Sequence, residues 1–196
     1  MTRIVAGSVG GRSIEVPPKG TRPTSDRVRE AIFSRLEHYG VLDGAWVLDL
    51  YAGSGALGLE AASRGAKRVT LVDKSRVATQ VAKRNVAALG LGAVVEVETE
   101  DARRYAARLA QPPGEALDLV FLDPPYDLPE PELTAVLTHL ATPGVLNEQA
   151  IAVVERSART PEPTWPDSLQ LIANKTYGET AVYYAEPQTE GFRGVR

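Results

Sequence analysis

Residues 46–58 read WVLDLYAGSGALG, an apolar run that leads into closely spaced glycines. A near-continuous apolar run is typical of a strand buried on both faces of a parallel sheet. Gly53, Gly55 and Gly58 satisfy the pattern G-x-G-x-x-G, which marks a tight turn from such a strand into a helix. Residues 46–58 therefore predict the strand, loop and helix that begin a parallel α/β sheet.

The same order of strand, turn and helix recurs as far as Glu155. After it, residues 169–186 form two β-prone runs broken at Tyr177 and Gly178, which predicts a terminal hairpin. The chain is therefore predicted to be a doubly wound α/β fold with a mostly parallel, seven-stranded sheet. Further strands are expected at 68–73, 93–98, 117–123 and 150–155, and helices near 56–64, 75–89, 101–110 and 130–141.

A basic segment precedes the sheet. Residues 3–7 and 12–16 are β-prone and flank a glycine-containing turn, which predicts a small hairpin. A helix capped by Thr24 or Ser25 should follow and end near Gly40. Seven Lys/Arg stand against four acids in residues 1–37, so this segment is basic although the whole chain has a formal charge of -3. We expect residues 1–40 to form a hairpin and helix extension, 41–187 the α/β domain and 188–196 a tail.

The composition removes several classes of protein. The 196 residues include no cysteine, which excludes disulfides, thiolate metal sites and cysteine nucleophiles. No apolar window is long enough to cross a membrane or to act as a secretion signal. We expect a cytoplasmic protein without a metal site or membrane contact, and a monomer, because no apolar stripe demands a partner chain.

The glycine pattern favours one kind of cofactor. Asp73 lies 20 residues beyond Gly53, where an acid can hold the hydroxyls of a ribose. NAD and S-adenosylmethionine both contain such a ribose. Asp49 stands at the strand end with three residues between it and Gly53, an arrangement that favours S-adenosylmethionine. The alternative is that the glycines serve only a tight turn.

A second motif, Asp123-Pro124-Pro125-Tyr126, follows the fourth strand of the predicted sheet. The two prolines make an extended, rigid lip, because each fixes its own φ and biases the preceding residue away from helix. Asp123 and the Pro124 carbonyl can accept hydrogen bonds from an exocyclic amine, and Tyr126 offers a face for stacking a nucleobase. The alternative is a structural Pro-Pro loop with a capping Asp and a packed Tyr.

The topology brings the two motifs together. In a doubly wound sheet, the first strand and the strand that begins the second half are neighbours, and ligands bind in the crevice between their carboxyl ends. Asp49 and Asp123 end these two strands. We therefore expect the methyl group of the cofactor and the amine of a base to meet at one edge of the sheet.

These motifs together resemble the class I, Rossmann-like S-adenosylmethionine-dependent methyltransferases, whose amino-methylating members carry (N/D)-P-P-(Y/F/W). Residues 22–33 (RPTSDRVREAIF) and 49–61 (DLYAGSGALGLEA) more closely resemble the RsmD family, the bacterial 16S rRNA guanine-N2 methyltransferases. The resemblance extends from the basic hairpin to the terminal hairpin. It implies methyl transfer to a guanine of 16S rRNA within the assembling or assembled 30S subunit.

The resemblance also implies roles for individual residues. In the cofactor half, Asp49, Gly53 and Gly55 would lie along the methionine part of S-adenosylmethionine. Asp73 would hold the ribose and Asp101 would approach the adenine amine, although either acid could instead be a surface or capping residue. In the catalytic half, the guanine would be held by Asp123, Pro124 and Tyr126.

Four arginines of the basic segment are candidates for contacts with rRNA phosphates: Arg12, Arg22, Arg27 and Arg29. Two other interpretations of the arginine-rich helix start remain open. These side chains could close over the cofactor, or they could pair with Asp26 and Glu30 at helical spacing.

Three other functions remain as alternatives. The D-P-P-Y motif also occurs in adenine-N6 methyltransferases of DNA, because it recognises an amine rather than a particular base. A nicotinamide dehydrogenase would use the glycines and Asp73, but the chain has no recognisable acid–base partner for it. A ribosome-assembly protein could keep the fold only to recognise rRNA, and an intact motif at 123–126 argues against that loss of activity.

Overall fold

The structure is a computed structural model that describes residues 2–17, 25–111 and 114–188. These residues form five helices and nine strands. In chain order, they are β1 (Thr2–Arg3), β2 (Ser13–Ile14), α1 (Asp26–Tyr39), β3 (Trp46–Leu50), α2 (Ala56–Ser63), β4 (Arg68–Asp73), α3 (Arg76–Leu89), β5 (Val95–Thr99), α4 (Ala102–Leu109), β6 (Leu117–Leu122), α5 (Glu130–Leu140), β7 (Leu146–Ser157), β8 (Leu169–Tyr177) and β9 (Thr180–Pro187).

Seven strands form the main sheet in the order β5-β4-β3-β6-β7-β9-β8. Strands β3 to β7 are parallel, whereas β9 is antiparallel to both β7 and β8. The predicted doubly wound, mostly parallel sheet is confirmed. After β5 the chain returns to the far side of β3, so the strand order reverses between β3 and β6, where this class of fold opens its ligand crevice.

Alternating strand residues build one core on each face of the sheet. Val47 and Phe121 pack with apolar residues of α1, α2 and α3, whereas the intervening Leu48 and Leu122 pack with those of α4 and α5. Burial on both faces explains why these strands are near-continuous apolar runs. Tyr184 is part of the first of these cores and Trp46 of the second.

Helix α1 begins and ends where its sequence predicts. The Ser25 side chain accepts a hydrogen bond from the Val28 N–H, and Gly40 ends the helix in the left-handed conformation at φ 72°. Ser25 is thus the cap, rather than the alternative Thr24, which lies outside the described residues. The helix packs into the same core as the sheet through Ile32 and Phe33.

The N-terminal hairpin has shorter strands than the sequence predicts. Its strand pairs are Thr2 with Ile14 and Arg3 with Ser13, and beyond them only Ile4 continues the hairpin, with bonds to the Arg12 carbonyl and from the Gly11 N–H. The N–H groups of Val5 and Ala6 donate instead to the two carboxylate oxygens of Glu60, at 2.8 and 3.1 Å. After Ile4 the extension therefore docks onto α2. In the described part of the chain, no helix has the length and apolar character to cross a bilayer.

Candidate functional site

The carboxyl ends of the parallel strands form one edge of the sheet, here called the site edge. The glycine loop, residues 51–55, leaves β3 at this edge and enters α2. Tyr51 has φ 61°, a left-handed conformation that only a few per cent of non-glycine residues adopt. Gly55 has φ 88°, and a Cβ there would come within 2.7 Å of Leu71 Cδ1, so both conformation and space require glycine.

Asp49 lies beneath the glycine loop and is almost completely buried. Its Oδ2 accepts a hydrogen bond from the Gly58 N–H at 3.0 Å, while Oδ1 has no hydrogen-bond partner among the described residues. Burial raises the pKa of this carboxyl to about 8, against the opposing effect of the Gly58 bond, and the nearby Asp123 and Asp73 raise it further. An orphaned buried acceptor fits a site for a cationic ligand.

Asp73 ties the end of β4 to the glycine loop. Its Oδ2 accepts a hydrogen bond from the Gly53 N–H at 2.9 Å, and its Oδ1 accepts one from the Ser75 N–H at 2.9 Å. A carboxylate has about four lone-pair sites, so both oxygens keep capacity for a hydroxyl donor. The structure thus gives Asp73 a loop-supporting role that is compatible with the predicted ribose contact.

Asp101 is exposed at the site edge, where it caps α4. Its Oδ1 accepts a hydrogen bond from the Arg104 N–H at 3.1 Å. This is the capping alternative that the sequence left open. The contact with an adenine amine stays a prediction.

The lip, residues 123–126, follows β6 directly. Strands β3 and β6 are hydrogen-bonded neighbours in which Leu50 lies opposite Leu122. The predicted adjacency of the two motifs is confirmed, and Asp123 leaves its strand beside Tyr51. Pro124 is buried, whereas Tyr126 is 41% exposed and its hydroxyl lies 3.4 Å from Thr180 Oγ1.

Arg156, near the end of β7, supports this lip and was not singled out in the sequence. Its Nη1 donates to the Pro125 carbonyl at 3.2 Å, and its Nη2 donates to the Leu128 carbonyl at 3.0 Å. One sequence feature could have indicated Arg156: it forms, with Glu155, a pair of charged residues at the end of the apolar run 150–154. Tyr51 was missed as a strained residue because its conformation has no sequence signature.

The three candidate arginines within the described residues do not share one surface. Arg12 is exposed, but its Nη2 donates at 2.6 Å to the carbonyl of Ala88 at the end of α3 farther from the site edge. Arg27 is exposed in the first turn of α1. This end of α1 lies nearer the start of α2, and so towards the site edge, because Arg29 contacts Glu60 within α2 whereas Glu37 contacts Arg64 just after its end. Arg22 lies outside the described residues.

The prediction of an RNA contact for Arg29 is wrong, because this side chain is fully buried. Its Nη2 donates to Asp26 Oδ1 at 2.8 Å and to the Arg3 carbonyl, and its Nε lies 3.6 Å from Glu60 Oε1. Burial lowers the pKa of Arg29, against the opposing effects of Glu60 and Asp26. The alternative of pairing with Asp26 is the one observed, and Arg29 joins the hairpin to α1 and α2.

The family model described as conserved hypothetical protein 95 matches residues 2–186. Among proteins of known sequence, the chain is 38% identical over 191 residues to "Ribosomal RNA small subunit methyltransferase D" of Escherichia coli, covering 96% of this chain and 92% of the relative. It is also 38% identical over 181 residues to "Putative rRNA methyltransferase YlbH" of Bacillus subtilis, covering 92% of this chain and 96% of the relative.

Solved structures give the same assignment of the fold. The "Putative methyltransferase yhhF from Escherichia coli" superposes with a TM-score of 0.80 at 35% identity, covering 95% of this chain and 98% of that chain. Magnesium protoporphyrin IX methyltransferase from Synechocystis, crystallised with bound SAM, superposes with a TM-score of 0.63 at 16% identity over 86% of this chain and 87% of that chain. The second likeness concerns the fold alone.

Proposed function

The chain belongs to the conserved hypothetical protein 95 family, the RsmD family, and from this premise we propose that it methylates the N2 amine of a guanine in 16S rRNA with S-adenosylmethionine. The observation that carries the proposal is the juxtaposition of the glycine loop and the lip at the ends of the neighbouring strands β3 and β6. A methyl donor and an acceptor amine held on these two elements would meet at one place.

The residues of the glycine loop fit the proposed cofactor. Asp49 Oδ1 is a buried acceptor without a partner among the described residues, and a methionine ammonium could supply its missing donor. An added Cβ at Gly53 would meet no atom within 4 Å, so the loop leaves open space at this point. Asp73 would hold the ribose and Asp101 the adenine. When bound, the cofactor supplies an electrophilic methyl group on a sulfonium.

The lip would prepare the nucleophile. The lone pair of an exocyclic amine is delocalised into the base, so the nitrogen attacks poorly. Asp123 and the Pro124 carbonyl would accept its two N–H donors and favour a pyramidal nitrogen. Tyr126 would stack the base after it has been turned out of its helix, as enzymes acting on buried base atoms require. The proton lost from nitrogen leaves to water or to Asp123, and most of the rate comes from positioning.

The proposed substrate also defines a partner and a place of action. We propose that a monomer docks on the assembling or assembled 30S subunit, which locates the reaction in the cytoplasm. Arg27, exposed in the first turn of α1, is the described candidate arginine best placed to contact phosphate. Arg12 could contribute only from a more distant surface.

Methyl-labelled S-adenosylmethionine and small subunits from cells lacking this gene would test the proposal. After incubation, the rRNA is digested and the labelled nucleoside is identified. Label in N2-methylguanosine is expected. Label in another nucleoside would contradict the proposed base. If the protein binds the cofactor but labels neither subunits, naked rRNA nor DNA, the assembly-protein alternative would be favoured.

The Asp123→Ala variant connects this activity to the lip. We expect it to abolish transfer while the dissociation constant for the cofactor stays close to that of the unchanged protein. Asp167→Ala is the matched control, because Asp167 is an exposed aspartate before β8, at the end of that strand remote from the site edge. Turnover by the Asp123→Ala variant at the control's rate would contradict the assigned role.

A further inference from the structure

Arg156 is a buried charged residue that follows the apolar run 150–154 of β7. The side chain is 1% exposed, and its Nε has no hydrogen-bond partner among the described residues. Removing a guanidinium from water is unfavourable unless its donors are well paired. The contacts that offset this cost therefore indicate what Arg156 does in the molecule.

Two of these contacts hold both ends of one turn. Residues 125–128 form a turn closed by the Leu128 N–H, which donates to the Pro125 carbonyl at 3.0 Å. Arg156 donates to the carbonyls of the same two residues, Pro125 through Nη1 and Leu128 through Nη2. Tyr126 is the first of the two central residues of this turn, so its direction from the backbone depends on where the two ends are held.

A third contact fixes the guanidinium itself. Nη2 also lies 2.8 Å from Oε1 of Glu130, the first residue of α5. Arg156 thus links β7, the turn at residues 125–128 and the start of α5. The charge of Arg156 also acts on Tyr51 of the glycine loop. Burial raises the pKa of the Tyr51 hydroxyl, and Asp101 and Glu132 raise it further, whereas Arg156 lowers it.

We propose that Arg156 is a positioning residue for methyl transfer, which holds the turn at residues 125–128 so that Tyr126 and the Pro124 carbonyl meet the target base in a productive geometry. The inference rests on the proposed function. Arg156 touches neither base nor cofactor in this scheme and acts through the backbone of the lip. Misplacement of reacting groups by about 1 Å can cost about a hundredfold in rate, so the rate should respond to its loss.

These contacts require the planar guanidinium group of an arginine. Two carbonyls and a carboxylate are met by two nitrogens whose relative directions are fixed in the guanidinium plane. A lysine ammonium keeps the positive charge but is a single point on a flexible stem. Arg156→Lys therefore separates the need for a fork from the need for a charge, and Arg156→Met removes both.

The experiment measures kcat, the KM for small subunits, the cofactor dissociation constant and the melting temperature of each variant. For Arg156→Lys we expect kcat to fall about tenfold to a hundredfold, while the cofactor dissociation constant stays within about twofold. Arg156→Met should be at least as impaired. If Arg156→Met does not fold, Arg156→Lys alone carries the test because it keeps the buried charge paired.

Arg64→Met is the matched control for lost stability. Arg64 is a largely buried arginine paired with Glu60 at 3.0 Å and Glu37 at 2.8 Å, at the end of α2 remote from the lip. It should lower the melting temperature and leave kcat unchanged. The proposal is overturned if Arg156→Lys keeps the unchanged protein's kcat, if it loses cofactor affinity in proportion to kcat, or if Arg64→Met lowers kcat equally.

The result also separates this inference from the proposed function. Absence of N2-methylguanosine with the unchanged protein contradicts the proposed function itself. If the unchanged protein is active and Arg156→Lys is equally active, only the role of Arg156 is contradicted.

Discussion

Asp49 has a carboxyl whose pKa is raised to about 8, from the usual 3.8, because it is buried. The unfolded chain ionises this group near its usual value, whereas the folded protein without a bound cation keeps it protonated up to about pH 8. Between these two values the folded state binds more protons, so its stability falls as pH rises. Below about pH 4 both states are protonated and this penalty is absent.

We predict that Asp49→Asn makes the free energy of unfolding less dependent on pH between about 4 and 8. The amide oxygen can still accept the Gly58 N–H, while no charge has to be buried. Urea denaturation at a series of pH values measures the effect. The variant should gain stability relative to the unchanged protein as pH rises, and parallel profiles across this range would contradict the prediction.

Gly58 shows why the third glycine of the pattern is required, although its φ is not positive. A Cβ there would overlap the Leu71 side chain and come within 3.0 Å of Val69 Cγ1. We predict that Gly58→Ala lowers the free energy of unfolding by about 1–3 kcal/mol through overpacking and weakens cofactor binding. Gly114→Ala, which would meet no atom within 4 Å, is the control in the same thermal and binding measurements.

At the scale of secondary-structure elements, the docking of the hairpin depends on one buried acid. Glu60 receives the N–H groups of Val5 and Ala6 and forms ion pairs with Arg29 and Arg64. Its side chain is fully buried. The hairpin therefore uses α2 as the partner that a longer second strand would have supplied.

Removal of Glu60 should accordingly be severe. We predict that Glu60→Ala lowers the free energy of unfolding by about 3–5 kcal/mol, because it leaves Arg29 buried without its main counter-charge. Glu115→Ala is the control: this acid is 60% exposed beside Lys67 and Arg68, and its loss should cost about 0–1 kcal/mol. Similar losses in urea denaturation for the two variants would disprove the structural role of Glu60.

Elements with local signals could be predicted from the sequence, and elements stabilised by distant partners could not. Ser25 and Gly40 bound α1 because a capping side chain and a left-handed glycine act within one turn. The hairpin was predicted too long because Glu60, some 55 positions away, takes its N–H groups. Recognising that Arg29 and Arg156 are buried needed the same long-range information, since local spacing does not tell which charge is buried.

At the scale of the whole molecule, an acidic chain with a net charge of -3 is proposed to bind a polyanion, so local charges must guide binding. If Arg27 contacts a phosphate, Arg27→Ala should weaken rRNA binding and reduce the slope of log affinity against log salt by about 0.7–0.9. Lys67→Ala is the control, because Lys67 is exposed at the opposite edge of the sheet, before β4. Titrations over a range of salt concentrations would refute the contact if both slopes stay unchanged.

The strands that hold the lip come late in the chain, because β9 pairs with β7 in the sheet. This affects the order in which the cofactor side and the base side of the site can fold. The acids of the glycine-loop side lie between residues 49 and 101, whereas Arg156 and Thr180, which contact the turn and Tyr126, belong to β7 and β9. During synthesis from the amino end, the glycine-loop side can therefore form early. The base side depends on contacts of high sequence separation, which form slowly. During synthesis, the molecule should thus become able to hold its methyl donor before it can hold the base to be methylated.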